Sequence, residues 1–193
     1  MSVIACENIK DILMDKKPSI RLDEAREMLF SVIPEFRNSY GFNQKTDWHL
    51  YDVYNHTLKV VDNVPNNLSI RLAALFHDMG KPFTFKEENG VGHFPKHWDE
   101  SLRIFNEHYR DFNLSKEEVN LIRNLIEYHD LRSTNENDIN NLVNIFGDDI
   151  DLLFQLKEAD IKGQNPKYDD VSYKIFNEMK DLCSSKIKKK IIH

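Results

Sequence analysis

The chain has 193 residues, a length typical of one domain or of one domain with a small helical appendage. Hydrophobic residues make up 40% and charged residues 30%, with 6 glycines and 6 prolines, which excludes a fibrous or disordered protein and favours helix. The formal net charge of −6 argues against a general attraction to nucleic acid or to an anionic membrane surface.

The two cysteines, Cys6 and Cys183, lie at opposite ends of the chain and predict neither a disulfide framework nor a thiolate metal site. The first residues contain no basic segment followed by an apolar stretch. No window approaches the roughly 20 apolar residues that a membrane-spanning helix needs. We therefore expect a cytoplasmic protein that does not enter a membrane.

Helical periodicity dominates the chain. Short helices are predicted over residues 1–40, and a polar stretch at 41–47 separates them from longer helices. Pro95 is expected in the first turn of a helix, and Ser115 with Glu118 predicts a capping box. The glycine-rich span 80–95 predicts an irregular loop or a small hairpin. The longer helices are predicted over 48–64, 68–79, 95–109, 115–130, 137–146, 148–162 and 169–186.

Several histidines and aspartates fall on the apolar faces of these helices, where burial is costly without compensation. Asp160 follows three leucines at helical spacing, and His129 follows three aliphatic residues in the same way. In the helix 48–64, His56 shares a face with His49 and Val53. The simpler interpretation of any one such residue is a core histidine bonded to a carbonyl, or an aspartate that caps a helix.

The consecutive pair His77 and Asp78 ends the most apolar helix of the chain, just before Gly80. Adjacent helical residues diverge by about 100°, so both can reach one metal ion only if the ion lies near the helix end. Taken together, inward imidazole and carboxylate groups on four helices favour a divalent-metal site.

Four sequence runs, YDVYNHTLKVVDNVP, RLAALFHDMGKP, VGHFPKHWDES and LIEYHDLR, resemble the HD superfamily of metal-dependent phosphohydrolases. They are most similar to the HD region of bacterial CCA-adding tRNA nucleotidyltransferases. The resemblance implies an all-α HD-domain helical bundle over residues 47–193, with residues 1–46 as a short N-terminal helical extension. The nucleotidyltransferase domain of those enzymes has no counterpart here, so the resemblance implies a hydrolase module rather than nucleotide addition to tRNA.

The resemblance also implies a set of metal ligands. Some HD proteins bind a second ion through two further histidines, for which His97 and His129 are candidates. His93 competes with His97, because the run GHFPKH offers two imidazoles four residues apart. One or two divalent ions per chain are expected, from among Fe, Mn, Ni, Co, Zn and Mg. The first ion is expected to be held by His56, His77, Asp78 and Asp160.

Bound metal is expected to lower the pKa of water from about 15.7 toward about 7 and so to provide the nucleophile. Asp78 is a candidate bridging ligand and proton acceptor. Lys81 is a candidate phosphate contact, although favourable charge at a helix C-terminus explains it equally well. His49 and Arg132 are candidate substrate contacts, with a plain surface position as the alternative for Arg132. Trp48 is expected in the core.

The expected function is hydrolysis of a nucleotide or another small phosphate ester. Two alternatives stay open: a non-catalytic binding or sensory module stabilised by metal, and a tRNA- or RNA-processing accessory. The acidic charge disfavours binding to nucleic acid. The sequence does not specify the physiological substrate or the oligomeric state.

Overall fold

The computed structural model describes residues 3–191 and the side chains of residues 6–188. The outermost residues of the predicted segments 1–46 and 47–193, namely 1–2 and 192–193, lie outside this range. The α-helices are α1 Val3–Leu13, α2 Pro18–Glu24, α3 Arg26–Val32, α4 Val53–Asn63, α5 Leu68–Phe76, α6 Lys81–Thr84, α7 His97–His108, α8 Lys116–Tyr128, α9 Glu136–Phe146, α10 Ile150–Gly163 and α11 Asp169–Ile191.

The remaining elements are short. The predicted hairpin is confirmed in the span 80–95, where strands β1 Lys86–Glu88 and β2 Val91–His93 pair antiparallel. The 3₁₀ turns are Pro34–Ser39, Tyr109–Phe112, Gly147–Asp149 and Pro166–Tyr168. Helices dominate the described residues, so the predicted all-α class is confirmed. None of the described helices is both long and apolar enough to cross a bilayer.

Helix α5 lies at the centre of the molecule. Every residue from Ser69 to Phe76 is buried, as its nearly uniform apolar sequence predicts. Helix α5 packs on α4, α7, α8 and α10, while α11 covers α9 and α10. The core therefore surrounds the helix that leads directly into His77 and Asp78.

The N-terminal helices pack on the rest of the chain. Helix α2 contacts α4, and α1 contacts α5. Phe30 and Phe36 lie 5.9 and 5.3 Å from Tyr54 of α4, measured between ring centroids. Residues 6–36 thus contribute to the same hydrophobic cluster as α4 and α5. The boundary between segments 1–46 and 47–193 stays a prediction.

Helix α4 begins five residues later than predicted. Residues 48–52 form turns and bends, and the Asp52 carboxylate accepts hydrogen bonds from the N–H of Asn55 and of Gly41 at 2.7 and 2.9 Å. Asp52 is therefore the N-cap of α4, a position that satisfies an otherwise free backbone N–H. The prediction that His49 shares a helical face with His56 is wrong, because His49 precedes the helix.

Two other helix ends differ from their predictions. Helix α5 ends at Phe76, and the following turn carries His77, Asp78 and Gly80. Helix α7 begins at His97, so Pro95 lies in the preceding turn rather than in the helix. A Cβ atom on Gly80 would lie 2.1 Å from the His97 carbonyl oxygen. Only glycine allows this close approach, which brings the start of α7 against Asp78.

The predicted capping box is confirmed at the start of α8. The Ser115 hydroxyl accepts the N–H of Glu118 at 3.1 Å, and the Glu118 carboxylate accepts the N–H of Ser115 at 2.8 Å. This pair satisfies two backbone donors at the helix start. It fixes the beginning of the helix that ends just before His129.

Candidate metal centre

Four buried side chains from three parts of the bundle converge at one point. Helix α4 supplies His56, the turn after α5 supplies His77 and Asp78, and α10 supplies Asp160. His56 Nε2 lies 3.0 Å from Asp160 Oδ1 and 3.3 Å from Asp78 Oδ2. His77 Nε2 lies 3.3 Å from Asp78 Oδ2 and 3.4 Å from His56 Nε2. We call these four residues the first ligand set.

A second ligand set shares Asp78 with the first. His97, at the start of α7, and His129, directly after α8, place their Nε2 atoms 3.2 and 3.6 Å from Asp78 Oδ1. The two Nε2 atoms are 3.1 Å apart. Asp78 therefore directs one carboxylate oxygen at each set, the arrangement that a bridging ligand requires.

The hydrogen bonds of the four imidazoles fix which nitrogen faces the cluster. Each Nδ1 atom lies within hydrogen-bond distance of a backbone carbonyl, which can only accept, so each Nδ1 carries a proton. Each Nε2 atom is then left to act as a ligand. The pairs are His56 with Gly163 at 3.2 Å, His77 with Ala74 at 2.7 Å, His97 with Phe94 at 3.2 Å and His129 with Ile126 at 2.6 Å.

This cluster favours positive charge at its centre. Burial by itself lowers the pKa of His56, but hydrogen bonds to Asp160 and Asp78 outweigh it and raise that pKa to about 9. Burial would raise the pKa of Asp78, yet electrostatic interactions with His77 and Lys81 hold it well below its usual range. Neutral imidazoles and ionised carboxylates are ligands that suit divalent transition metals, so the residues fit such an ion.

Metal affinity is expected to rise with pH. The raised pKa of His56 keeps Nε2 protonated up to about pH 9, so an ion that binds at lower pH must displace that proton. One displaced proton corresponds to about a tenfold change in apparent affinity for each pH unit. Competition with a coloured chelator at pH 6, 7 and 8 measures this slope. An affinity that does not change over this range would contradict a protonated His56 in the metal-free protein.

The structure separates the two candidate histidines of the run GHFPKH. His97 is buried and contacts Asp78 and His129, whereas His93 is exposed on β2 and belongs to neither ligand set. Replacing His97 with alanine is therefore expected to lower the number of bound ions per chain, while His93→Ala keeps the wild-type number. Elemental analysis of the purified variants tests this. Loss of an ion from His93→Ala alone would reverse the assignment.

Lys81 is buried and engages three acceptors. Its Nζ atom lies 2.7 Å from Asp78 Oδ2, 3.0 Å from Gln44 Oε1 and 3.4 Å from His49 Nε2. The contact with Asp78 is an ion pair, and the contacts with Gln44 and His49 lie within hydrogen-bond distance. Lys81 begins α6 and follows α5 by several residues, so it does not lie in the last turn of α5.

Gln44 lies at the site but was not predicted from the sequence. It is 2% exposed and donates from Nε2 to the Tyr51 carbonyl at 3.1 Å while its Oε1 accepts from Lys81. It lies in the polar stretch 41–47, and its partner Lys81 is 37 residues away in the sequence. No local spacing predicts this pair. Gln44 therefore anchors the lysine that contacts Asp78.

An open cleft with a volume of about 550 Å³ leads to both ligand sets. His49 and Arg132, the candidate substrate contacts, both line it, and Arg132 Nε lies 3.5 Å from Asp130 Oδ1. Burial and the nearby Lys81 charge lower the pKa of His49 to about 2, so this imidazole is neutral.

Trp48 belongs to the cleft wall. The expectation that it lies in the core is wrong: it is half-buried and stacks on Tyr168, with ring centroids 4.2 Å apart and planes inclined by 24°. The N–H of Asn165 donates to the Trp48 carbonyl at 2.8 Å, which ties this loop to the segment after α10. An aromatic surface thus borders the polar cleft.

Known proteins are similar to the part of the chain that contains both ligand sets. The sequence model of the HD domain family matches residues 46–161, which include every member of both ligand sets. A "Multifunctional CCA protein" of Paraburkholderia phymatum is 36% identical over 109 residues, which cover 49% of this chain and 26% of the relative. Its namesake in Burkholderia pseudomallei is 34% identical over 127 residues, covering 58% and 30% respectively.

The chain thus spans less than a third of the length of these two relatives. The resemblance inferred from the sequence is confirmed, since the family match covers more than half of the chain and the relatives share the predicted HD region. The chain belongs to the HD domain family.

Proposed function

We propose that the protein hydrolyses a small phosphate ester, such as a nucleotide, with one or two divalent metal ions held by the two ligand sets. The shared carboxylate of Asp78 carries this proposal. Its two oxygens face two groups of imidazoles whose Nε2 atoms all turn toward the same buried point. His56, His77, Asp78 and Asp160 would hold one ion, and Asp78, His97 and His129 the other.

A divalent metal ion bound by these residues supplies a Lewis acid, which lowers the pKa of water and polarises phosphoryl oxygens. Side chains of the protein would position the reacting groups. Asp78 stays ionised at neutral pH and can accept a proton, while Lys81 holds its Oδ2 side in place. Asp160 also stays ionised, because its hydrogen bond to His56 outweighs the effect of burial on its pKa.

The cleft supports a ligand of nucleotide size. Its volume of about 550 Å³ falls within the range of about 300–1,000 Å³ that is usual for small-molecule sites. Arg132 offers a guanidinium suited to a phosphate oxygen. Neutral His49 offers a polar contact without adding charge. The aromatic ring of Trp48 can pack against a planar group of the substrate.

The proposal is tested with purified protein and a panel of nucleotides and cyclic nucleotides, with added Mn, Co, Ni or Mg. Release of phosphate or nucleoside is expected from at least one member. The double change His77→Ala with Asp78→Ala is expected to abolish it, while Asp148→Ala, at an exposed position on a 3₁₀ turn, serves as the control. Full activity in the double variant would contradict metal-dependent hydrolysis.

A second candidate function is an RNA-processing accessory role, supported by the 34–36% identity to proteins named "Multifunctional CCA protein". The net charge of −6 weighs against it. Specific binding to tRNA that weakens with rising salt would favour this candidate over a small phosphate ester. A non-catalytic metal module would instead bind the ions and release no product from any member of the panel.

A further inference from the structure

Three residues that line the cleft each have a buried polar atom without a hydrogen-bond partner among the described residues. One of these atoms, Oδ2 of Asp78, belongs to the first ligand set and forms an ion pair with Lys81. The other two are Oε1 of Gln164 and Nδ1 of His49. A buried polar atom without a partner costs about 1–3 kcal/mol, so such atoms are rare in native proteins. Because both residues line the cleft, a ligand bound there is a candidate for the missing partners.

The orientation of the Gln164 amide follows from its neighbour. Gln164 is 5% exposed, and its Nε2 lies 3.0 Å from Asp160 Oδ2. The Asp160 carboxylate oxygen is the acceptor of this hydrogen bond. The amide nitrogen must therefore face Asp160, which leaves Oε1 as a hydrogen-bond acceptor without a donor.

The tautomer of His49 follows from Lys81 in the same way. The Lys81 ammonium lies 3.4 Å from His49 Nε2 and can only donate, so Nε2 accepts. In a neutral imidazole the other nitrogen then carries the proton. His49 Nδ1–H is thus a donor without an acceptor. Outside the two ligand sets, the residues that line the cleft therefore contain one unpaired acceptor and one unpaired donor.

We propose that Gln164 is a specificity-determining residue whose Oε1 accepts a hydrogen bond from a hydroxyl group of the bound phosphate ester, with His49 Nδ1–H as the complementary donor. A hydroxyl group both donates and accepts, so hydroxyl groups can satisfy both atoms. The ligand class is a hydroxylated phosphate ester, such as a sugar phosphate or a ribonucleotide. This inference rests on the proposed function in that the ligand is the ester bound beside the two ligand sets.

Gln164 has a second, separable contact. Its Nε2 donates to Asp160 on the side away from the first ligand set, so Gln164 also positions a candidate ligand. Loss of this contact lowers the affinity for all phosphate ligands alike. Loss of the Oε1 contact lowers the affinity only for the ligand that carries the hydroxyl group. The ratio of two affinities therefore isolates the proposed contact.

The test uses calorimetric titration of the metal-loaded full chain with the methylenephosphonate analogue of ribose 5-phosphate, which cannot be hydrolysed, and with its monodeoxy forms. Wild-type protein is expected to bind the fully hydroxylated probe about 3- to 10-fold more tightly than at least one deoxy form. In Gln164→Met the two affinities are expected to become equal. Gln155→Met, at an exposed position on α10, the helix that ends just before Gln164, is expected to keep the wild-type ratio.

Gln164→Ala provides a second variant if the methionine variant does not fold, and circular dichroism reports the folded state of each. An unchanged affinity ratio in both Gln164 variants would overturn the inference, and so would failure of wild-type protein to bind any of the probes. The panel of nucleotides and cyclic nucleotides tests hydrolysis rather than the selectivity of binding. Hydroxyl-selective binding without any release of phosphate would contradict the proposed hydrolase while supporting the role of Gln164.

Discussion

Replacing Asp78 with asparagine is expected to lower the hydrolytic rate by about a thousandfold or more and to weaken metal binding at both ligand sets. The change keeps the shape of the side chain but removes its negative charge. One of the two oxygens becomes an amide nitrogen, which cannot ligate a cation and faces either the His56 and His77 pair or the His97 and His129 pair. A thousandfold loss corresponds to about 4 kcal/mol of transition-state stabilisation.

Two comparison variants make the Asp78 result specific. Asp160→Asn alters only the first ligand set, and His129→Ala alters only the second. Each is expected to remove no more than one ion per chain, whereas Asp78→Asn weakens both sites. Steady-state kinetics and elemental analysis on the same preparations measure the two effects, with exposed Asp99→Asn as the control. An Asp78→Asn protein that retains two ions and full activity would exclude the shared carboxylate as a bridging group.

Helical periodicity was sufficient to predict the inward direction of Asp160 and His129, because both follow apolar residues at helical spacing. The shared position of Asp78 could not be predicted in this way. It depends on where α5 ends and on the contact of Gly80 with His97, which brings two distant segments together. Such contacts follow from tertiary packing, and local sequence patterns do not encode them.

The error at His49 has a local cause. The apolar spacing of residues 48–64 continues across the true helix start, but the Asp52 side chain accepts a hydrogen bond from a free backbone N–H, and the helix begins directly after it. Gln164 had only a weak signal: it lies four residues after Asp160, but it follows the end of α10 in extended backbone and is not on a helical face. Gln44 had none, because its partner Lys81 is remote in sequence.

Replacing Lys81 with methionine is expected to lower the free energy of unfolding of the metal-free protein by about 3 kcal/mol. Methionine retains the length and most of the apolar contacts of lysine but removes the ammonium. The carboxylate of Asp78, which is 2% exposed at its side chain, then loses the cation 2.7 Å from Oδ2. Loss of one partner from a buried ion pair costs about 3–5 kcal/mol, because the remaining charge stays desolvated. His56 offsets part of this cost, since its raised pKa keeps it positively charged beside the same carboxylate.

Urea denaturation of metal-free protein measures this loss, with Lys162→Met as the matched control. Lys162 forms a solvent-exposed ion pair with Glu158 at 2.7 Å, and such pairs contribute about 0–1 kcal/mol. Equal losses in the two variants would show that the Asp78–Lys81 contact contributes no more than a surface pair. Saturating metal is expected to reduce the deficit of Lys81→Met, because a divalent cation at the ligand sets supplies positive charge to Asp78 where the ammonium no longer does. That reduction connects the stability of the turn after α5 to the occupancy of the metal centre.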